Sequence, residues 1–393
     1  MARATSPISG IDPHLLDPVE LTRRLVAFDT INPPGSERAC AEFLNDLFLA
    51  AGFETMLLTM GDDRANLIAS RKGQGTAPPL VFTGHIDVVP LGTRKWSRDP
   101  FGGEIIDGRL YGRGSSDMKS GVAAFVLAAI AESDRLDATS GVTLIITAGE
   151  ETGCDGAKAL IAAGRMGSAG ALVVAEPTAN VPYVGHKGAL WLKAVTNGIT
   201  AHGSMPEQGD NAVYKAARAV DRLSTFAFNV ADHPTLGSPT LNVGTLHGGL
   251  NINSVPDRAE IGIDMRTIPA IDHATLQKTV IAHMNENVDV EVLIDLPSVW
   301  TSPQLPWVAS ILRIAAEITG AHPMVKTATY FSDASVFTPA LGGIPTVILG
   351  PGEPAQAHQT DEWCEIERIR QAVLIYRAII VDWVKGKSIA APP

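Results

Sequence analysis

Four short apolar segments constrain this chain more than anything else in it: PLVFTGH (79–85), VTLIITAG (142–149), ALVVAE (171–176) and PTVILG (345–350). Each is rich in β-branched or aliphatic residues and lacks the polar alternation of a half-exposed strand, so each predicts a strand buried on both faces. Helical runs separate the first three, with GVAAFVLAAIAES after the first and GAKALIAAG after the second. Strands alternating with helices predict an α/β domain whose mostly parallel sheet is covered on both sides. Upstream, Asp17-Pro18-Val19-Glu20 reads as a helix start, with an N-cap carboxylate, Pro at the first helical position and Glu closing a capping box. Asn32-Pro33-Pro34-Gly35 breaks that helix, and SERACAEFLNDLFLAAGF predicts a second one ending on Gly52.

Residues 183–294 follow another rhythm. LWLKAVTN, DNAVYKAARAVDRLSTF, TLNVGTLHG, RAEIGIDMRT, HATLQKTVIAHMNENV and VDVEVLI read as strand, helix, strand, strand, helix, strand, the order of a split βαβ, ferredoxin-like unit. At 393 residues the chain exceeds what one core usually serves. The expected organisation is a catalytic domain in two pieces, 1–182 and 297–393, with a small α+β domain inserted at 183–296. The second piece opens on the helix PWVASILRIAAEITG, and the closing Ala-Pro-Pro reads as a frayed tail.

Composition removes several function classes. A 45% hydrophobic, 19% charged chain is not a disordered polymer. A formal charge of −11 gives no electrostatic grip on nucleic acid or on an anionic membrane, so neither is expected as a partner. Cys40, Cys154 and Cys364 show no C-x-x-C pairing, which argues against a disulfide framework and a thiolate zinc site and fits a reducing, cytoplasmic compartment. No stretch reads as a secretory leader or a membrane span, so neither export nor anchoring is expected.

In open α/β sheets ligands bind beyond the carboxyl ends of the strands, where loops bring polar groups together over a rigid platform. The first strand leads to His85-Ile86-Asp87, the second to Glu150-Glu151 and the third to Glu176; the fourth leads through GPGEPAQA to His358. Asp117 lies in GRGSSDMKSG, a Gly/Ser-rich loop that opens a helix. Each feature alone is commonplace, but unrelated surface charges have no reason to gather at the same end of four strands. Two histidines and several carboxylates without a thiolate suit Zn²⁺, Mn²⁺ or Co²⁺. Asp117 is placed to bridge two ions, and a hydroxide shared between them would attack a carbonyl that one ion polarises. A carboxylate outside the metal shell must then carry the proton, and one member of the Glu150-Glu151 pair is placed for it.

The ordered runs GHIDVVP, GRGSSDMKSG, GEETGCDGA, AEPT, GHKGALWL, TAHGSMP, GGLNINSVP and GPGEPAQAHQTDE resemble the M20 metallopeptidase family, which includes acetylornithine deacetylase, succinyl-diaminopimelate desuccinylase, aminoacylase and glutamate carboxypeptidase. The resemblance spans nearly the whole chain. It implies metal ligation by His85, Asp117, Glu151, Glu176 and His358, with Asp117 bridging two divalent ions, Zn²⁺ foremost and Co²⁺ or Mn²⁺ as alternatives. It also implies that Asp87 orients His85, that Glu150 is the general base, and that the inserted domain is a lid through which two copies form a homodimer. His202 would reach across that dimer to stabilise an oxyanion, while Asn253, Arg266 and Lys187 would contact substrate. Many members carry Asp just before the Glu pair, where this chain has Gly149. Cys154, close behind the pair, reads as a small packing residue.

Rival readings lack their signatures. No G-x-G-x-x-G follows the first strand, as a nicotinamide-dependent dehydrogenase requires, and there is no G-x-S-x-G elbow for a serine hydrolase. A non-catalytic binding protein is disfavoured because the base and every ligand position are retained. The expected activity is hydrolysis of an N-acyl amino acid amide bond, of the acetylornithine deacetylase or succinyl-diaminopimelate desuccinylase type. A dipeptidase or glutamate-type carboxypeptidase acting on short peptides is the alternative.

Overall fold

The computed structural model describes residues 12–136 and 140–385, so the Ala-Pro-Pro tail lies outside the described residues. In chain order its main strands are β1 (Glu54–Thr59), β2 (Ala65–Arg71), β3 (Leu80–His85), β4 (Val142–Thr147), β5 (Ala171–Val174), β6 (Gly188–Asn197), β7 (Thr240–Gly248), β8 (Arg258–Thr267), β9 (Val288–Leu296) and β10 (Thr346–Ile348). The main helices are α1 (Pro18–Val26), α2 (Arg38–Ala50), α3 (Ser120–Ala131), α4 (Asp155–Ala162), α5 (Ala212–Leu223), α6 (His273–Met284), α7 (Pro306–Thr319), α8 (Ala334–Ala340) and α9 (Ile366–Val384). Two compact units emerge. One takes the chain up to Gly185, Thr301–Lys326 and the chain from Ser332; the other takes His186–Trp300 and Thr327–Phe331.

The first unit is built on a sheet in the order β1-β2-β4-β3-β5-β10. Strands β4, β3, β5 and β10 run parallel, and these are the four segments that the apolar pattern marks. Strands β1 and β2, which the apolar pattern does not mark, close one side antiparallel; β1 is only half-buried and lacks the apolar run of a central strand. Every residue of β3 and β5 is buried. Phe82, Leu144 and Val173 enter a core with Phe48 of α2, Phe125 of α3 and Tyr376 of α9, while Val81, Ile145 and Leu172 are buried on the opposite face. Helix α3 is buried along nearly its whole length, as an all-round apolar helix must be.

Asp17 caps α1 by accepting from the Val19 and Glu20 amides, with Pro18 in the first turn. The expected capping box is not completed: Glu20 turns away to pair with Arg23 and Arg24 at 2.9 and 3.1 Å, because two guanidiniums lie within one turn of it. A small three-stranded sheet, absent from the sequence reading, joins Trp363–Glu365 to Arg109–Tyr111 and Ile105–Ile106. It fixes the chain on either side of the candidate site.

The second unit has the order β6-α5-β7-β8-α6-β9 and the spatial order β7-β8-β6-β9, antiparallel throughout. This is the ferredoxin-like arrangement. Strand β8 alternates buried and part-exposed residues, sending Ala259, Ile261, Ile263 and Met265 into a core with Ala216, Leu223, Leu276 and Val280 of the two helices. Such alternation is the mark of a sheet covered on one face only.

Candidate metal centre

The parallel strands of the first unit end where the acids and histidines gather. His85 is the last residue of β3, Glu150 and Glu151 follow β4, Glu176 follows β5, and His358 lies in the loop after β10. His85 Nε2 sits 3.2 Å from Asp117 Oδ1 and 3.9 Å from Glu176 Oε2. His358 Nε2 sits 3.1 Å from Glu151 Oε2 and 3.5 Å from the other oxygen of Asp117. Asp117 therefore divides two half-sites, one of His85 and Glu176 and one of His358 and Glu151. Ligand atoms of His85, Asp117 and Glu151 all lie within 4.8 Å of one another.

The surroundings hold these groups in place. His85 Nδ1 meets the Asp87 carbonyl at 2.9 Å, so its Nε2 is left to face the carboxylates, which is the tautomer a metal ligand needs. The Asp87 carboxylate stands 3.6 Å from that ring nitrogen and is engaged instead by the Glu150 amide at 3.1 Å, the Glu151 amide at 3.2 Å and Asn32 Nδ2 at 2.9 Å. It thus fixes the turn that carries both glutamates more directly than it orients His85. His358 holds φ +63, a left-handed conformation uncommon outside Gly and worth explaining at a functional position.

Burial is the dominant electrostatic fact. Glu150, Glu176, Asp117 and His85 are all buried. Burial pushes the Glu150 carboxyl well above the ordinary range; His85 opposes this, and the charges of Glu176, Glu151 and Asp333 add to it. Glu176 is raised by burial in the same way. Burial works against protonated His85, yet its hydrogen bond to Asp117 and the neighbouring carboxylates outweigh that and hold its pKa well above normal. The hydrogen bond with Glu151 raises His358 to about 8. Buried carboxylates in such number need positive charge at close range, and Glu151 Oε1 is buried without a hydrogen-bond partner. Oxygen and imidazole donors of this kind fit divalent cations of the Zn²⁺, Mn²⁺ and Co²⁺ type.

Other residues important to this arrangement escaped the sequence reading. Glu362, fully buried, accepts from Arg113 Nη1 at 2.7 Å and from the amides of Gly114, Ser116 and Asp117 at 3.0, 2.8 and 3.0 Å, shaping the loop that presents Asp117. Asn32, in sequence no more than part of a helix-breaking turn, ties Asp87 to Thr152. Asp333 is buried beside Thr147 at 2.5 Å, and burial raises it to about 6. The DE ending of HQTDE and the Asp of FSDAS were the available signals, and both look like solvated loop charges. Cys154 is buried, with its Sγ 3.9 Å from Glu150 Oε1.

The remaining residues singled out belong to the second unit, where they fall at opposite ends of its sheet. His202 and Asn253 are neighbours: Gly203 N donates to Asn253 O at 2.7 Å, His202 bridges to Ser254, and the exposed His202 ring meets Ser204 Oγ at 2.7 Å. Arg266 and Lys187 lie at the end where the chain enters this unit. Arg266 pairs with Asp264 at 2.9 Å and lies 5.6 Å over Trp191, while Lys187 Nζ donates to Ser238 O at 2.6 Å. Strands β6 and β8 separate the two pairs by ten residues, about 30 Å at 3.3 Å per residue.

Comparison with known proteins places this geometry in a family. The family model for peptidase family M20/M25/M40 matches residues 81–382. A probable succinyl-diaminopimelate desuccinylase of Staphylococcus epidermidis is 30% identical, over 94% of this chain and 98% of its own. A succinyl-diaminopimelate desuccinylase of Wolbachia pipientis is 28% identical, over 94% of each chain. Among solved structures, an M20 family metallo-carboxypeptidase of Sulfolobus solfataricus superposes with a TM-score of 0.78 at 18% identity, covering 93% of this chain and all of that one. A dinuclear metal-binding M20 peptidase of Bacillus subtilis gives 0.68 at 16% identity, covering 95% and 98%. The chain is a member of peptidase family M20/M25/M40, and with it a metal-dependent hydrolase of amide bonds.

Proposed function

We propose that this hydrolase removes the acyl group from N-acyl amino acids, with N-succinyl and N-acetyl substrates as the first candidates. The observation that carries the two-ion part of this reading is the placement of Asp117, whose two oxygens each face a different histidine. In this reading His85 and Glu176 hold one ion, His358 and Glu151 hold the other, and Asp117 is shared. Ions bound there, Zn²⁺ foremost, would supply Lewis acidity toward the scissile carbonyl and the attacking water.

The chain's own residues carry the rest. Glu150, its amide fixed on Asp87, takes a proton from the water as the new carbon–oxygen bond forms. It returns that proton to the departing nitrogen as the carbon–nitrogen bond breaks, which leaves a carboxylic acid and a free amino acid. Glu150 suits this role because its neighbour Glu151 points to His358, whereas Glu150 lies buried beside Cys154. His202 donates to the oxygen that gains charge, Asn253 contacts substrate, and Arg266 and Lys187 grip its carboxylate.

The distance of about 30 Å between the two pairs of second-unit residues supports a homodimer in which His202 and Asn253 serve the partner's site. Strand β7 is an edge with Leu246 exposed, and Leu250 and Ile252 just beyond it are fully exposed, which favours pairing between copies. The three unpaired, buried cysteines fit a cytoplasmic setting; no helix among the described residues is long and apolar enough to cross a membrane. The near-full-length relatives named as desuccinylases favour the deacylase reading. The peptidases among the structural relatives keep short peptides as the second reading.

The deciding experiment is a panel of N-acetyl, N-succinyl and longer N-acyl amino acids beside di- and tripeptides, assayed after reconstitution with Zn²⁺, Co²⁺ or Mn²⁺. The expected result is kcat/KM at least tenfold higher for an N-acyl amino acid than for any peptide. Preference for a peptide would transfer the protein to the second reading.

A further inference from the structure

Gly149, immediately before the two glutamates, is occupied from above by a residue distant in sequence. It holds φ +74, and a Cβ added there would lie 2.4 Å from Arg64 Nη2 and 3.2 Å from Asp155 Cβ. Gly35, at φ +88, stands in the same relation: its Cβ would lie 2.5 Å from Arg64 Nε and 2.9 Å from Cζ. The guanidinium is thus packed against two glycine backbones that could not carry a side chain while it is in place. Its Nε–Nη2 edge is taken by Glu37, which accepts from Nε at 3.1 Å and Nη2 at 3.0 Å in a two-point pair. The Glu37 side chain is fully buried and that of Arg64 is one-fifth exposed.

The two loops joined in this way are the same two that hold Asp87. Asn32, three residues before Gly35, donates to Asp87 Oδ2 and to Thr152 Oγ1. Glu150 and Glu151, just after Gly149, donate their amides to the same carboxylate. The contacts therefore close a ring, from Asp87 through Asn32 to Gly35 and Glu37, through Arg64 to Gly149, and through the Glu150 and Glu151 amides back to Asp87. A ring of this kind resists displacement of the glutamates more than the Asp87 contacts alone, because their turn is held from both sides. A planar, permanently charged fork meets that need where a flexible ammonium does not.

We propose that Arg64, seated on Glu37 between Gly35 and Gly149, is a positioning residue that fixes the turn presenting Glu150 and Glu151. The proposal deepens the functional reading above and rests on its assignment of work to those two glutamates. Together with the left-handed φ of +74, the guanidinium also accounts for the absence of a side chain at 149: the nearest volume that a side chain there would fill is its own.

The test is a double-mutant cycle of Arg64→Ala, Gly149→Asp and the pair together, with Arg64→Lys as a variant that keeps a cation on Glu37 while withdrawing the fork from Gly149. Three quantities are read: kcat and KM on the best substrate of the panel, Zn²⁺ affinity by calorimetry, and the urea midpoint. Arg64→Lys is expected to lower kcat about tenfold or more, with KM changed less than threefold and the urea midpoint near the parental value, because small misplacements of reacting groups are costly. Zn²⁺ affinity is expected to weaken through Glu151. Gly149→Asp is expected to be worse in the parental chain than in the Arg64→Ala background, where the emptied space accepts the new carboxylate.

Parental kcat and Zn²⁺ affinity in folded Arg64→Lys would overturn the proposal. So would Gly149→Asp costing the same factor in both backgrounds. If Arg64→Ala does not fold, Arg64→Lys paired with Gly149→Asp completes the cycle. Failure of the broader reading looks different: Glu150→Gln would then keep its turnover, while the coupling between positions 64 and 149 would persist in the calorimetric data.

Discussion

The two units solve the covering of a sheet in opposite ways. In the first, β3 and β5 are buried on both faces, so the only places for chemistry are the strand ends, and there buried carboxylates crowd around two histidines. In the second, β8 alternates buried and part-exposed residues and charged groups pair at the surface, as Arg258 does with Glu260 at 2.7 Å and Lys193 with Glu291. A two-sided sheet concentrates electrostatic strain at its rim; a one-sided sheet leaves a face and an edge free for association. The first unit thus offers chemistry at its strand ends and the second leaves a face and an edge open, and the contrast can be broken at either unit.

The largest expected effect falls on the first unit. Glu150→Gln should lower kcat by about 10²–10⁴-fold while circular dichroism and bound-metal content stay parental. Near-parental turnover would mean that another group carries the proton. The matching test in the second unit is His202→Ala, expected to cost about 10²–10³-fold in kcat without loss of metal. Mixing His202→Ala with Glu150→Gln chains should recover part of the lost activity if His202 serves the partner's site. No recovery in verified heterodimers would confine His202 to its own chain.

A smaller effect concerns stability. His186 is fully buried at the start of the second unit, where its Nδ1 donates to the Lys187 carbonyl, and burial pushes its pKa down to about 4. Above about pH 6.5 the imidazole is neutral in both the folded and unfolded chains and contributes no pH dependence. Below that pH the unfolded chain binds the proton first, so stability falls by about 3 kcal/mol as pH approaches 4. Urea midpoints between pH 7 and 4.5 should therefore drop more steeply for the parental chain than for His186→Gln, and equal slopes would remove His186 as the cause.

Much of this division could be read from the residues in order. The parallel core was legible because PLVFTGH, VTLIITAG, ALVVAE and PTVILG are apolar on both faces, and the ferredoxin-like unit because its strands and helices change period in the right sequence. Strands β1 and β2 were not legible: β1 is a half-exposed edge strand, and β2, though largely buried, has Asn66, Ser70 and Arg71 interrupting its apolar run. In the site, His85, Glu176, His358 and the Glu150-Glu151 pair are legible from their places after strands and Asp117 from its Gly/Ser-rich loop, the resemblance to M20 members singles out Glu151 as the ligand of the pair, and the structure brings all five ligand candidates together. Asn32, Glu362 and Arg64 were missed because their importance is a matter of contact across long stretches of chain. Glu362 meets Asp117 from 245 residues away, a pairing that no local pattern records.

The claim on which the rest depends is that the rim of the first unit is a two-ion centre divided by Asp117. Calorimetric titration of metal-stripped protein with Zn²⁺, followed by elemental analysis and assay, tests it directly. Two ions per chain are expected, with activity absent before and restored after titration, and fewer than two ions in Asp117→Ala. Full activity in verified metal-free protein, or two ions held as tightly by Asp117→Ala as by the parental chain, would contradict it.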